Sequence, residues 1–227
     1  MARSIRLAVF AALLVIAATA AGHNVADSDR EFVEGVAGPA FMPFLYLGAK
    51  HMVTGYDHVL FLVGIVFYLY RIRDIVIYVS MFTIGHSLTL MGGVLLGIGA
   101  DAHLVDAIIG FSVVYKGVEN IGGLGRLGLS IDTRLAIFVF GLFHGMGLAA
   151  KLNDLSMSPD GLLVNLIGFN VGVEVGQLLV LVVVVTWLNV WRRSPGFAGS
   201  ARYANIALIV AGTVMIGYQM TAFLTHG

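Results

Sequence analysis

The chain contains no cysteine, which excludes disulfides, thiolate metal centres and iron–sulfur clusters and leaves His, carboxylate, Met and backbone oxygen as the available metal ligands. Charge is nearly as scarce. Only 11% of the 227 residues are Asp, Glu, Lys or Arg, against about 25% in a soluble globular domain, so a water-soluble fold is excluded. The 13 basic and 13 acidic residues cancel and form no basic run, so nothing recommends nucleic acid as a partner.

What is abundant is apolar sequence, 59% of the chain. A bilayer core about 30 Å thick takes roughly 20 apolar residues per helical crossing, so this length holds six or seven spans with short connections. The start, MARSIRLAVFAALLVIAATAAGHN, places Arg3 and Arg6 ahead of an apolar run from Leu7 to Ala21. That layout predicts a secretory signal peptide over residues 1–20, with Ala18-Thr19-Ala20 or Ala20-Ala21-Gly22 as the small-x-small cleavage site. The alternative is an uncleaved anchor helix. Residues 21–50 read as an external segment, acidic at Asp27, Asp29, Glu31 and Glu34, that ends in an interfacial helix, FMPFLYLGAK. Residues 51–227 read as one membrane domain with apolar segments near 51–70, 75–99, 103–123, 134–151, 162–190 and 203–225. The expected architecture is therefore all-α, a polytopic membrane helix bundle of six transmembrane spans behind a signal peptide.

Arginine sets the expected orientation. Arg71 and Arg73, Arg126 and Arg134, and Arg192, Arg193 and Arg202 fall in alternate loops, which are cytoplasmic by the positive-inside rule. The opposite loops carry Asp101, Asp154 and Asp160 with only Lys151 nearby. Both mature termini are then external, as a signal peptide followed by an even number of spans also requires.

Ionisable groups at bilayer depth need a partner, a cavity or a function. HMVTGYDH sets His51 and His58 seven residues apart, with Asp57 between them. FTIGHSLTL brings His86 beside Ser87, and GLFHGMGLAA brings His144 among glycines. SVVYKGVENIGG carries Lys116, Glu119 and Asn120, and GFNVGVEVGQ carries Asn170, Glu174 and Gln177. Each taken alone is explained by packing: a hydrogen-bonded core histidine, or a local Lys116–Glu119 ion pair. Three spans that each bring one central histidine, His58, His86 and His144, predict convergence on one cavity near the midplane. Neutral imidazole with carboxylate suits Ni2+, Zn2+, Co2+ or Cu2+. Cleavage after Ala20 would also leave His23 third from a free amine, a square-planar nitrogen set for Cu2+ or Ni2+, although a mobile terminal histidine is the plainer reading.

These segments resemble the HupE/UreJ family of bacterial nickel permeases. HMVTGYDH is similar to the family's His-x5-Asp-His signature, and FTIGHSLTL, VENIGG and FNVGVEVGQ resemble other segments of it, so the likeness runs over about residues 40–225. The resemblance implies a bacterial inner-membrane protein with a cleaved signal peptide, six spans and periplasmic termini, concerned with nickel supply. It marks His51, Asp57, His58 and His144 as metal residues. His86 joins them by position, with Glu119, Glu174, Ser87, Asn120 and Asn170 expected behind them as supporting or proton-exchanging groups. One departure stands out: the family's second motif ends in an acid, and FHGMGLAAK has Lys151 there. The expected function is nickel binding and transport, without enzymatic activity; the partners are the metal ion, the lipid bilayer and other membrane subunits. The alternatives are an accessory subunit of a larger membrane complex and an intramembrane zinc hydrolase built on the histidines.

Overall fold

A computed structural model describes residues 27–155 and 158–226. The expected signal peptide and His23 lie outside these residues. Among the described residues every regular element is a helix: α1 Asp27–Gly35, α2 Phe41–Thr54, α3 Tyr56–Val66, α4 Ile72–Leu95, α5 Ala102–Asn120, α6 Gly123–Arg126, α7 Thr133–Asn153, α8 Leu162–Arg192 and α9 Phe197–His226. Aspartates open two of them. Asp101 accepts from Leu104 N at 2.8 Å at the start of α5, and Asp132 accepts from Arg134 N and Leu135 N at the start of α7. Each satisfies backbone donors that the first turn leaves orphaned.

Among the described residues four helices, α4, α7, α8 and α9, are long and apolar enough to cross a bilayer. α5 has 19 residues but carries Asp106, Lys116 and Glu119, all three packed within the bundle. The first expected span is divided. The boundary expected between residues 50 and 51 falls inside α2, and the chain breaks instead at Gly55, whose φ of −69° and ψ of 92° leave the helical region. α3 then has 11 residues, about 16 Å at 1.5 Å per residue. Alone it is too short to span. It is also the innermost element, with Asp57, His58, Leu60, Phe61, Leu62, Gly64, Ile65 and Val66 all buried.

Three close helix pairs surround α3: α2 with α8, α4 with α7, and α5 with α9. Glycine makes the first two intimate. Side chains on Gly168, Gly172 and Gly176 of α8 would run into the carbonyls of Phe41, Leu45 and Ala49 of α2, and one on Gly145 of α7 would run into the His86 carbonyl of α4. Such small-residue contacts let helices approach where lipid offers no hydrophobic drive for association. The matching order of these contacts makes α2 parallel to α8 and α4 parallel to α7. Gly110 meets Gly212 while Gly117 meets Asn205, so α5 and α9 are antiparallel.

These directions give the bundle two chemically distinct ends. Arg192 reaches the Val66 and Phe67 carbonyls and stacks on Tyr70, and Thr133 bonds Glu119, so the arginine-bearing loops gather at one end. Asn165 bonds Gly38 and Ala40, Asn153 bonds Gly93 and Ile98, and His103 meets Gln219, which gathers the loops of Asp101, Asp154 and Asp160 at the other.

Candidate metal site

The break at Gly55 is what assembles the centre of the bundle. Seven residues of continuous helix would separate His51 and His58 by about 10 Å along the axis. Across the break their ring centroids lie 5.1 Å apart. His58 is the hub. Its ring lies 5.0 Å from that of His144 on α7 and 5.6 Å from that of His86 on α4, in each case edge to face. His58, His86 and His144 are all at most 2% exposed. Phe61 and Phe82, both fully buried, wall the cluster: Phe61 stacks on His144 and Phe82 on His86.

Hydrogen bonding decides which nitrogen of each ring is free. His144 Nδ1 lies 2.8 Å from the Phe140 carbonyl oxygen, which can only accept, so Nδ1 carries the proton and Nε2 keeps its lone pair. His58 Nδ1 faces Asp57 Oδ1 at 3.1 Å with the same consequence. Both Nε2 atoms are buried without a hydrogen-bond partner, as are both ring nitrogens of His86. A carboxylate or carbonyl behind one imidazole nitrogen and an open lone pair on the other is how metal-binding histidines are oriented. The rings nevertheless stand edge to face. Among the described residues no group of three or more His, Asp or Glu is already set to hold a metal ion.

The expected supporting residues scatter. Glu119 and Asn120 lie toward the arginine end, where Glu119 pairs with Lys116 and accepts from Thr133, and Asn120 donates to the Gly64 carbonyl and to Asn205. Gly64 is six residues from His58, about 9 Å along α3. The Lys116–Glu119 pair is thus the local ion pair of the plainer reading. Asn170 is buried and donates to Leu166 O within its own helix, while Ser87 is half-buried beside His86. Glu174 is exposed on α8 and lines a groove of about 590 Å³ against α4 with Thr83, Gln177 and Ser80. Gln177 donates to Thr83 at 2.7 Å, tying the two helices together.

Sequence reasoning passed over Asp106. It is buried in α5, bonded to Lys151 and to Gln219, and its Oδ1 lies 3.3 Å from where a side chain on Gly147 would begin, one turn from His144. Tyr56, next to Asp57 at the start of α3, lies within electrostatic reach of both Asp57 and Asp106. An acid inside an apolar span was the available signal.

The sequence model of one family, described as HupE / UreJ protein, matches residues 27–227. No curated protein and no solved structure gives a significant match.

Proposed function

This chain belongs to the HupE/UreJ family, and from that premise we propose that it takes up a divalent transition metal ion, nickel first among Ni2+, Co2+, Zn2+ and Cu2+, and conducts it through the histidine cluster across the bacterial inner membrane. One observation carries the reading. The Nε2 atoms of His58, His86 and His144 are buried without partners, and the His86 and His144 rings each contact that of His58. An unpartnered polar atom in an apolar interior is costly, and a passing cation offsets that cost. Neutral imidazole suits these borderline metals.

The edge-to-face arrangement fits a carrier better than a store. Conduction requires binding strong enough to draw the ion in and weak enough to release it, and ligands that must rotate to coordinate bind more weakly than ligands already in place. The reading takes six crossings, with α2 and α3 together as the first and α5 as the third, the arginine end cytoplasmic and the opposite end periplasmic. A second reading, an accessory subunit of a larger membrane complex, is favoured by exposed Glu174, a carboxylate facing out of the bundle within an apolar helix.

Uptake of 63Ni2+ by cells carrying His58→Ala, His86→Ala or His144→Ala tests the carrier. Each should lose accumulation at wild-type membrane abundance. Wild-type uptake in all three would leave the cluster as packing and shift the weight to the accessory-subunit reading.

A further inference from the structure

Lys151 is the last cation of α7 before the acidic end of the bundle, and it turns inward. Its Nζ lies 2.8 Å from Asp106 Oδ2, with the lysine side chain 21% exposed and the aspartate 11%. Gln219 of α9 donates to the same oxygen at 3.2 Å, and the amide oxygen of Gln219 lies 2.8 Å from His103 Nδ1. Three helices thus converge here: Lys151 of α7 pairs with Asp106 of α5, and Gln219 of α9 links that carboxylate to His103 of α5. The place matters as much as the chemistry. Asp106 stands over Gly147, three residues from His144 and hence about 4.5 Å farther out along α7. An ion travelling from the acidic end to the histidines passes this carboxylate first.

We infer that Asp106, with Gln219 and His103 beside it, is an outer receiving site for a divalent cation, and that Lys151 fills it as a tethered internal cation which an arriving ion displaces. The inference rests on the carrier reading above and adds a station and a brake to it. The carboxylate oxygen that holds the ammonium is a hard donor that suits a divalent ion. A divalent ion interacts with the carboxylate twice as strongly as an ammonium at equal distance. The partial exposure of Lys151 gives the displaced ammonium a way back to water, which a fully buried lysine lacks. While in place it also repels any cation moving toward His144, so removing its charge should make the cluster easier to load.

Calorimetric titration of NiCl2 into the purified full chain separates the outcomes. Lys151→Met should bind Ni2+ at least tenfold more tightly than wild type, and Lys151→Gln, which can still donate to Asp106 and so protects the fold, should do the same. Adding Asp106→Asn to either should abolish the gain, and propylammonium added to Lys151→Ala should reverse it by refilling the site. Wild-type affinity in both Lys151→Met and Lys151→Gln, with His58→Ala still eliminating binding, would overturn the inference and leave the carrier reading intact: Lys151–Asp106 would then be structural. A gain that survives Asp106→Asn overturns it equally. Absence of Ni2+ binding in folded wild-type protein removes the carrier reading, and this inference with it.

Discussion

An imidazole offers a metal only the nitrogen that its hydrogen bonds leave open, so the partners behind His58 and His144 matter as much as the rings. Asp57 fixes His58 with Nδ1 as donor. In Asp57→Asn the neutral amide no longer favours that tautomer, and Ni2+ affinity should fall by about 10- to 100-fold, the usual cost of losing such a partner. Calorimetry on detergent-solubilised protein measures it, and unchanged affinity would show that Asp57 does not orient the ligand. Protons compete for the same lone pairs. A protonated ring cannot ligate, so affinity should fall, and not rise, as pH is lowered. Titrations repeated across pH check the sign; affinity that rises as pH falls would remove the imidazoles from the ligand set.

Helices position these residues by how closely they approach and where they break. A methyl on Gly172 would overlap the Leu45 carbonyl, so Gly172→Ala must push α2, and His51 with it, away from α8. Overpacking of this kind costs about 1–3 kcal/mol. The unfolding midpoint of Gly172→Ala should fall, while Gly217→Ala on α9, where nothing lies within 4 Å, should leave it unchanged. Equal midpoints would mean that α2 and α8 do not need this contact. Gly55 acts differently. A Cβ there would meet His51 O at 2.8 Å, His58 Nδ1 at 3.0 Å and Asp57 Oδ1 at 3.1 Å. Gly55→Ala should therefore disturb the His58–Asp57 pair and weaken Ni2+ binding with little loss of helix by circular dichroism.

At the scale of the bundle, the three pairings obey one exchange rule. Taking α2 with α3 as the first segment and α4, α5, α7, α8 and α9 as the others, the pairs are first with fifth, second with fourth and third with sixth. Exchanging the first three segments with the last three maps this pairing onto itself, and parallel pairs go to parallel pairs. That is the relation expected of an inverted repeat, in which a central site forms where the halves meet. The same directions place the arginine loops together. Reporter fusions near Arg73, Arg126 and Arg193 should all report the cytoplasm, and fusions near Asp101 and Asp160 the periplasm. A periplasmic signal near Arg193 would refute the six-crossing arrangement.

Some of this was fixed by composition and spacing alone. Scarce charge and long apolar runs dictate helices in a bilayer, because a lipid interior forces backbone groups to bond within the segment. The motifs around His51, His86, His144 and Glu174 marked the family that the match over residues 27–227 then showed. Which helices meet was not legible. A helical pattern records which side chains share a face, whereas the partner of that face is chosen by close-approach geometry among residues more than a hundred positions apart, as with Gly172 and Leu45. Glu119 and Glu174 looked equivalent as acids in apolar spans. Tertiary structure separates them, since one is consumed by Lys116 and Thr133 and the other turns outward. Asp106 and Lys151, 45 positions apart, became one feature only because α5 and α7 run side by side. The break at Gly55 was equally hidden, since nothing in the motif's spacing says that the helix stops between two histidines, and only the packing of α3 at the centre of the bundle brings their rings together.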